Sequence, residues 1–182
     1  LRADGWYLRQ DIIWHKPNPV PESVKDRCTK AHEYIFLLSK NRKYYFDNEA
    51  IKEDAKPESE KRYKSTFYTG KKEISGQGRP GNASNTPGYK KWTGKRNKRS
   101  VWTVTTKPFK EAHFATYPPD LIEPCILAGC PEGGVVLDPF MGSGTTALVA
   151  MQNQRNFIGF ELNPEYIKLA KKRISNVQLK IV

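Results

Sequence analysis

The stretch VVLDPFMGSGTT, residues 135–146, places an acidic residue at the end of an apolar run and two glycines shortly after it. Gly142 and Gly144 lack Cβ atoms, so the backbone can turn sharply and a ligand can approach it closely. A helix that begins after such a turn offers free N–H groups. Asp138 precedes the turn, and Glu161 ends a second apolar run, where a carboxylate can accept both hydroxyls of a ribose. This pattern predicts a site for a nucleoside derivative.

Three kinds of nucleotide site share parts of this pattern. A phosphate-binding GxxxxGK[ST] loop is excluded because no lysine follows the glycines. Residues 142–147 fit a dinucleotide fingerprint, GxGxxA, but Asp138 would repel a pyrophosphate placed beside it. S-adenosylmethionine carries a cationic ammonium and a sulfonium and no phosphate, which suits Asp138 and Glu161. We therefore predict S-adenosylmethionine as the cofactor, with a tight, ligand-free turn as the alternative.

Alternating strands and helices are predicted around this turn. The apolar patterns indicate helices over residues 119–130, 145–153 and 163–174 and strands over residues 134–138, 156–161 and 178–182. Pro124 is tolerated only in a first helical turn, so an irregular start is expected for the first helix. Asn163 and Pro164 are a typical helix start. Strands joined by helices in this order form a parallel sheet.

The beginning of the chain also has the apolar density of buried strands. Residues 9–16, 33–40 and 43–47 are predicted as strands, and residues 100–104 as one more. A proline-rich loop follows the first of them, which places residues 17–32 beside strand ends.

Positive charge is concentrated in one segment. Residues 52–110 hold 16 of the 31 Lys and Arg residues and 5 of the 19 Asp and Glu residues, so they carry +11 of the total net charge of +12. A nearly neutral body with one cationic segment indicates a polyanionic partner that binds this segment. A solvated loop without a partner is the alternative.

Composition excludes several classes of protein. The three cysteines form no CxxC pair and the three histidines are scattered, so neither a disulfide scaffold nor a metal site is predicted. No apolar run approaches the roughly 18 residues of a membrane span. The sequence starts with Leu1 and an RADGWY stretch rather than Met and a signal segment. We expect a cytoplasmic protein without a membrane partner, whose given sequence starts within a longer chain.

The motifs LDPFMGSGTT, FIGFELNPEY and HFATYPPDLIEPCI resemble those of prokaryotic DNA amino methyltransferases of the beta class, which make N4-methylcytosine or N6-methyladenine. Residues 4–40 are similar to the target-pocket half of these enzymes. The resemblance implies an α/β, Rossmann-like fold with a mainly parallel sheet that binds S-adenosylmethionine. It further implies a ribose contact from Glu161 and other cofactor contacts from Asp138, Phe140, Gly142, Ser143, Gly144, Thr145, His113, Phe114 and Thr116.

The family's catalytic segment, [DNS]PP[YFW], does not occur in this sequence. The one Pro-Pro pair, Pro118–Pro119, belongs to the segment before the first predicted helix. We therefore expect the sheet to lack the strand that bears this segment, and we assign no catalytic residue. The implied organisation is a target-pocket half at residues 1–49, a basic target-recognition insertion at 50–112 and a cofactor half at 113–182.

The resemblance implies a site-specific DNA methyltransferase, here a fragment, with cytosine N4 favoured over adenine N6. The first alternative is a catalytically incomplete fragment that binds DNA or the cofactor, and the second is a methyltransferase of RNA or of a small molecule, for which this order of motifs would be unusual. Double-stranded DNA is the expected partner, in the nucleoid, and a cognate restriction endonuclease and a homodimer are further candidates. The candidate DNA contacts are Trp14, Lys16, Asn18, Arg27, Lys91, Lys95, Arg96 and Arg99.

Overall fold

A computed structural model describes residues 1–61, 93–106, 117–175 and 177. Seven strands lie in these ranges: β1 (Tyr7–His15), β2 (His32–Ser39), β3 (Glu53–Asp54), β4 (Lys95–Arg96), β5 (Val101–Thr103), β6 (Val135–Asp138) and β7 (Asn156–Gly159). The helices whose full extent lies in these ranges are α1 (Pro119–Gly129), α2 (Thr145–Gln152) and α3 (Pro164–Ser175). The protein is therefore of the α/β class.

The described strands form three separate sheets. The first has the order β2-β1-β5, with β2 antiparallel and β5 parallel to β1. The second pairs β6 with β7 in parallel, as the strand–helix–strand order predicts. The third is the short antiparallel pair β3-β4. The strand pairing is thus mixed, and among the described strands no hydrogen-bonded ladder joins the first sheet to the second.

Helix α1 connects the first two sheets through its side chains. Leu121 packs into a core with Ile12, Trp14 and Trp102 of the first sheet. Ile126, five residues further on, packs with Val149 and Ala150 of α2, against which Val136 of β6 is also packed. Leu121 and Ile126 are nearly fully buried, so one helix contributes to both apolar cores.

Two details differ from the sequence prediction. Residues 43–47 form no strand, and the N–H group of Asp47, at the end of this segment, donates instead to the carbonyl of Ala128 near the end of α1 at 2.9 Å. Helix α1 begins regularly at Pro119 and continues through Pro124. Burial of Leu121 and Ile126 on either side of this proline offsets the loss of one backbone hydrogen bond.

The chain divides into two compact units. One comprises residues 1–51 and 99–182, and the other comprises residues 52–98. The smaller unit lies within the segment predicted as a basic insertion and contains β3 and β4. The predicted strand at residues 178–182 lies outside the described residues.

Candidate functional site

The turn between β6 and α2 depends on two glycines in the left-handed region. Gly142 has φ +53° and Gly144 has φ +81°, values that residues with a Cβ rarely adopt. A Cβ on Gly144 would lie 2.8 Å from the Cβ of Ala170 in α3, whereas a Cβ on Gly142 would have its nearest neighbour at 4.0 Å. Gly144 therefore permits close packing of α3, and Gly142 leaves open space above the turn.

Asp138 stands at the end of β6 and organises the start of this turn. Its Oδ1 accepts a hydrogen bond from the N–H group of Phe140 at 2.9 Å. Its Oδ2 accepts one from the hydroxyl of Thr146 at 2.5 Å, and the hydroxyl of Tyr117 lies 3.3 Å from the same oxygen. A carboxylate has about four lone-pair sites, so Asp138 keeps capacity for a further donor.

Tyr117 and Thr146 were not predicted as site residues. Their hydroxyl oxygens are 2.5 Å apart, so Tyr117 can donate to Thr146 while Thr146 donates to Asp138. Thr146 is adjacent to the predicted residue Thr145 in the sequence, so the motif itself could have identified Thr146 as a site residue. Tyr117 is 21 residues away from Asp138, and no local pattern links the two.

Burial raises the pKa of Tyr117 above its ordinary value of 10.0, and the negative charge of Asp138 acts in the same direction, although the hydrogen bond with Thr146 opposes it. The folded state thus favours the neutral hydroxyl. The resulting stabilisation is complete below the unfolded-state pKa and is lost as the pH rises through the folded-state pKa.

We expect Tyr117→Phe to reduce the loss of stability at alkaline pH, because this variant has no hydroxyl to ionise at the site. Urea unfolding between about pH 8 and about pH 11 measures the effect as the difference between wild type and variant. Tyr45→Phe, at an exposed position, is the control for removal of a tyrosine hydroxyl. An alkaline profile that is identical in Tyr117→Phe and wild type would contradict this assignment.

Glu161 follows β7 and contacts the glycine turn through Gly142. Its Oε2 accepts a hydrogen bond from Gly142 N–H at 2.8 Å, and its Oε1 accepts one from Asn163 N–H at 2.8 Å. The Asn163 N–H group, followed by those of Gly142 and Leu162, lowers the pKa of Glu161 below 4.5, against desolvation and repulsion from Asp138. The carboxylates of Asp138 and Glu161 thus lie near enough to interact.

Arg173, near the C-terminus of α3, donates hydrogen bonds to the segment that contains the two glycines. Its Nη1 donates to the carbonyl and the hydroxyl of Ser143 at 2.8 Å each and to the hydroxyl of Thr145 at 3.2 Å. Ser143 and Thr145, both predicted to line the cofactor, are buried and in this structure they anchor the turn to α3. The predicted cap Asn163 also forms, since its Oδ1 accepts Glu165 N–H at 3.0 Å.

Among the predicted cofactor residues that the structure describes, Phe140 is the most exposed, at 87%. Its ring lies beside the turn and is free to cover a ligand there. His113, Phe114 and Thr116 lie outside the described residues, as does Lys91 of the predicted DNA contacts.

The predicted DNA contact Trp14 requires a correction. Its ring is only 5% exposed and belongs to the first core, and its Nε1 donates to the carbonyl of Val104 at 2.8 Å. The ring therefore packs in the protein interior, which the alternation of β1 favours, and it is not available to stack on a base. The ammonium group of Lys16 lies 4.4 Å from its ring centroid and pairs with Glu33.

Other predicted DNA contacts of the larger unit lie in loops. Asn18 is fixed by two hydrogen bonds with the backbone of Thr106, at 3.1 and 3.2 Å. Arg27 is exposed and pairs with Glu22 and Asp26 at 3.7 and 3.5 Å. The carbonyl of Arg99 accepts a hydrogen bond from Trp102 Nε1 at 2.7 Å.

Lys95 and Arg96, in β4 of the smaller unit, pair with acidic residues of β3. Lys95 Nζ lies 2.6 Å from Asp54 Oδ1, and Arg96 Nε lies 3.7 Å from Glu53 Oε1. The hydrogen bond and the charge of Lys95 lower the pKa of Asp54. Solvent screens exposed pairs of this kind, so they contribute little to stability, and a phosphate can compete for Lys95.

Two negative findings apply to the described residues alone. In residues 1–61, 93–106, 117–175 and 177, His, Cys, Asp and Glu side chains form no group of three that could hold a metal ion. Within the same ranges, no helix combines the length and the apolar character needed to cross a bilayer.

Known proteins are similar in sequence to this chain over all or nearly all of its length. The chain is 44% identical over 182 residues to the type II methyltransferase M.Cfr9I of Citrobacter freundii, covering 100% of this chain and 49% of that protein. It is 46% identical over 175 residues to the type II methyltransferase M.SmaI of Serratia marcescens, covering 96% and 48%. The chain therefore spans about half the length of the curated relatives it matches.

Solved structures agree with the fold. The complex of M1.HpyAVI with SAM superposes with a TM-score of 0.58 at 25% identity, covering 94% of this chain and 64% of that one. The cytosine-N4-specific PvuII DNA methyltransferase superposes with a TM-score of 0.64 at 20% identity, covering 98% and 54%. The family model N6_N4_Mtase, described as DNA methylase, matches residues 1–172. The chain belongs to this DNA methylase family.

Proposed function

We propose that the chain binds S-adenosylmethionine and duplex DNA and supplies both binding surfaces for methyl transfer to an exocyclic amino group of a DNA base. The observation that carries this proposal is the pair of carboxylates, Asp138 and Glu161, that flank an open turn made by Gly142 and Gly144. Membership of the DNA methylase family and the likeness to the M1.HpyAVI–SAM complex support it.

The residues present fit this cofactor. The space above Gly142 is open, since a Cβ there would meet no atom closer than 4.0 Å. Asp138 retains acceptor capacity for the cationic ammonium, and Glu161 is held ionised by backbone N–H groups, which suits the ribose hydroxyls. Phe140 provides an exposed ring. No phosphate-binding lysine accompanies the turn, in agreement with a ligand that lacks phosphate.

The chain's own residues bind and orient in this scheme. When bound, S-adenosylmethionine supplies an electrophilic methyl group on its sulfonium. Asp138 and Glu161 fix the two ends of the ligand, which sets the direction in which the methyl group points. Holding the methyl donor and the target amino group in the correct orientation can account for a large part of the rate enhancement of methyl transfer. The target amino group is paired within a duplex, so its base must rotate out of the stack at a cost of roughly a few kcal/mol.

The basic segment is the proposed DNA-binding surface. Residues 52–110 carry a net charge of +11, and phosphate contacts by Lys and Arg give affinity that falls as the salt concentration rises. The pairs of Lys95 with Asp54 and of Arg96 with Glu53 orient these cations in the free protein. Sequence preference requires further contacts with base edges.

We further propose cytosine N4 as the target atom in preference to adenine N6. A DNA substrate places the protein in the nucleoid, and a cognate restriction endonuclease and a homodimer stay predictions. The second candidate function is a fragment that binds cofactor and DNA without turnover. The absence of a [DNS]PP[YFW] segment from this sequence favours it for the chain acting alone.

Isothermal calorimetry with S-adenosylmethionine and fluorescence titration with a labelled duplex test the two binding functions directly. We expect binding in both assays, with duplex affinity that falls steeply between about 50 and 200 mM salt. Tritiated methyl transfer followed by base analysis then separates N4-methylcytosine, N6-methyladenine and no turnover. Failure to bind S-adenosylmethionine would overturn the proposed function.

A further inference from the structure

Tyr117 contacts two parts of the larger unit at once. Its ring packs against the core that contains Trp14 and Trp102 of the first sheet. Its hydroxyl oxygen lies 2.5 Å from Thr146 Oγ1 in α2 and 3.3 Å from Asp138 Oδ2 at the end of β6. A tyrosine side chain has only two torsion angles, so a core that holds the ring also sets the position of the hydroxyl. Tyr117 therefore connects this core to a carboxylate of the candidate site.

The direction of the hydrogen bonds among these side chains follows from their chemistry. A carboxylate only accepts hydrogen bonds, so the proton in the 2.5 Å contact between Thr146 and Asp138 belongs to Thr146. A threonine hydroxyl has one proton, and Thr146 therefore has none left for Tyr117. The proton between the two hydroxyls comes from Tyr117, whose pKa is raised chiefly by burial. We call this arrangement, in which Tyr117 donates to Thr146 and Thr146 donates to Asp138, the hydroxyl relay.

The bond from Tyr117 favours one orientation of the Thr146 hydroxyl. Threonine in a helix divides between two χ1 rotamers, because its hydroxyl can also donate to a carbonyl group three or four residues earlier. Thr146 is the second residue of α2 and is only 4% exposed, so water competes little for its hydroxyl. A bond to Tyr117 stabilises the rotamer that faces Asp138, and linked hydrogen bonds strengthen one another.

Both carboxylate oxygens of Asp138 are held in this arrangement. Oδ2 accepts from Thr146, and Oδ1 accepts from the N–H group of Phe140. Bonds to both oxygens fix the plane of the carboxylate, so its remaining lone pairs keep a constant direction. An acceptor that is already oriented loses less conformational entropy when a ligand binds.

We propose that Tyr117 and Thr146 are positioning residues for S-adenosylmethionine, which act through Asp138 by orienting its carboxylate toward the ammonium group of the cofactor. This inference deepens the proposed function and rests on it. Glu161, the other carboxylate of the site, is held by backbone N–H groups instead. Loss of the hydroxyl relay is therefore expected to affect the amino-acid end of the cofactor and not the ribose.

Calorimetry on variants that lack one hydroxyl tests the inference. Tyr117→Phe keeps the ring in the core and Thr146→Val keeps the branched shape, and each is expected to weaken binding of S-adenosylmethionine about 3- to 10-fold. Thr146→Ser keeps the hydroxyl and should bind nearly as tightly as the wild type. Tyr45→Phe, at an exposed position, is the matched control for loss of a tyrosine hydroxyl. Circular dichroism checks that every variant is folded.

A double-mutant cycle shows whether the hydroxyls act through Asp138. In the Asp138→Asn background the charge that binds the ammonium is absent, so Tyr117→Phe should cause little further loss of affinity. The two losses are therefore expected not to add. A residue that contacts the cofactor itself, or that shapes the pocket as a whole, would lower the affinity by the same factor in both backgrounds.

Two related ligands give a second readout. S-adenosylhomocysteine retains the ammonium group, so Tyr117→Phe should weaken its binding. 5′-Methylthioadenosine lacks the amino-acid portion, so it should bind Tyr117→Phe and the wild type equally.

Hydrogen exchange of the Phe140 amide tests the hydroxyl relay without any ligand. This amide donates to Asp138 Oδ1, and a carboxylate that Thr146 no longer holds should protect it less. We expect its exchange to accelerate in Tyr117→Phe and Thr146→Val and to stay at the wild-type rate in Tyr45→Phe.

Four results would overturn the inference: unchanged affinity for S-adenosylmethionine in Tyr117→Phe and Thr146→Val, additive losses in the double-mutant cycle, an equal loss for 5′-methylthioadenosine, or unchanged exchange of the Phe140 amide. Failure of the proposed function has a different signature. The wild type would then not bind S-adenosylmethionine at all, whereas exchange of the Phe140 amide would still report on the hydroxyl relay.

Discussion

Replacement of Gly144 by alanine is expected to lower the free energy of unfolding by about 2 to 5 kcal/mol and to abolish measurable binding of S-adenosylmethionine. The left-handed φ of +81° costs a residue with a Cβ about 1 to 2 kcal/mol. The new Cβ would also lie 2.8 Å from the Cβ and 3.1 Å from the Cα of Ala170, and overpacking of this kind costs about 1 to 3 kcal/mol. Urea unfolding and calorimetry measure the two effects.

Two other glycines separate the backbone effect from the steric one. Gly133 has φ +74° but open space around its Cβ position, so Gly133→Ala should incur the backbone cost alone. Gly129, at the end of α1, has neither a left-handed φ nor a neighbour within 4 Å, so alanine there is expected to be neutral or stabilising by up to about 1 kcal/mol. Equal losses for Gly144→Ala and Gly133→Ala would show that contact with Ala170 is unimportant.

The sequence predicted the cofactor half of the fold well because its signals are local. Apolar periodicity located β6, α2, β7 and α3, and Asn163 marks the start of α3 by a hydrogen bond two residues along the chain. At residues 43–47 the prediction was wrong, and their strand-like composition did not reveal the non-local bond from Asp47 to Ala128 of α1. The continuation of α1 through Pro124 is also decided by tertiary burial, which propensity does not include.

The candidate site was predictable where the functional group belongs to the motif itself. Asp138, Gly142 and Gly144 share one turn, and the strand-end position of Glu161 brings it to the same edge. Arg173 shows where prediction ends: it contacts Ser143 from 30 residues away, and its position in the last turn of α3 is equally typical of a cation that interacts with the helix dipole. Only the packing of α3 against the glycine turn shows that Arg173 contacts Ser143, and this packing cannot be deduced from the local sequence.

Trp14 illustrates the same limit for the DNA surface. An aromatic residue at a strand end beside Lys16 and Asn18 fits both a base-stacking role and a core role. Strand alternation places Trp14 on the face of Ile12, and the packing of Leu121 from α1 makes that face the interior. The charge pattern, in contrast, needs no packing information, because the excess lies in residues 52–110 rather than throughout the chain. DNA binding by this segment stays a prediction.

Asp138→Asn is expected to weaken binding of S-adenosylmethionine about 10- to 100-fold while the free energy of unfolding stays close to that of the wild type. Asparagine keeps an Oδ1 that can accept the Phe140 N–H bond, and the hydroxyls of Thr146 and Tyr117 can accept from its Nδ2. The turn is therefore retained and the negative charge alone is lost. Hydrogen bonds to charged groups contribute about 1.5 to 3 kcal/mol, which corresponds to the expected loss of affinity.

A ligand that lacks the ammonium group tests whether the ammonium is the group that binds the carboxylate of Asp138. 5′-Methylthioadenosine retains the nucleoside and lacks both the amino-acid portion and the sulfonium charge, so calorimetry should find equal affinities of wild type and Asp138→Asn for it. S-adenosylhomocysteine has the ammonium but no sulfonium, so Asp138→Asn should still weaken its binding. Glu161→Gln is the complementary variant, and it should weaken all three ligands because all carry the ribose. If Asp138→Asn weakened all three ligands equally, Asp138 would act by shaping the turn through Phe140 and Thr146. The ammonium would then need another acceptor at the end of β6.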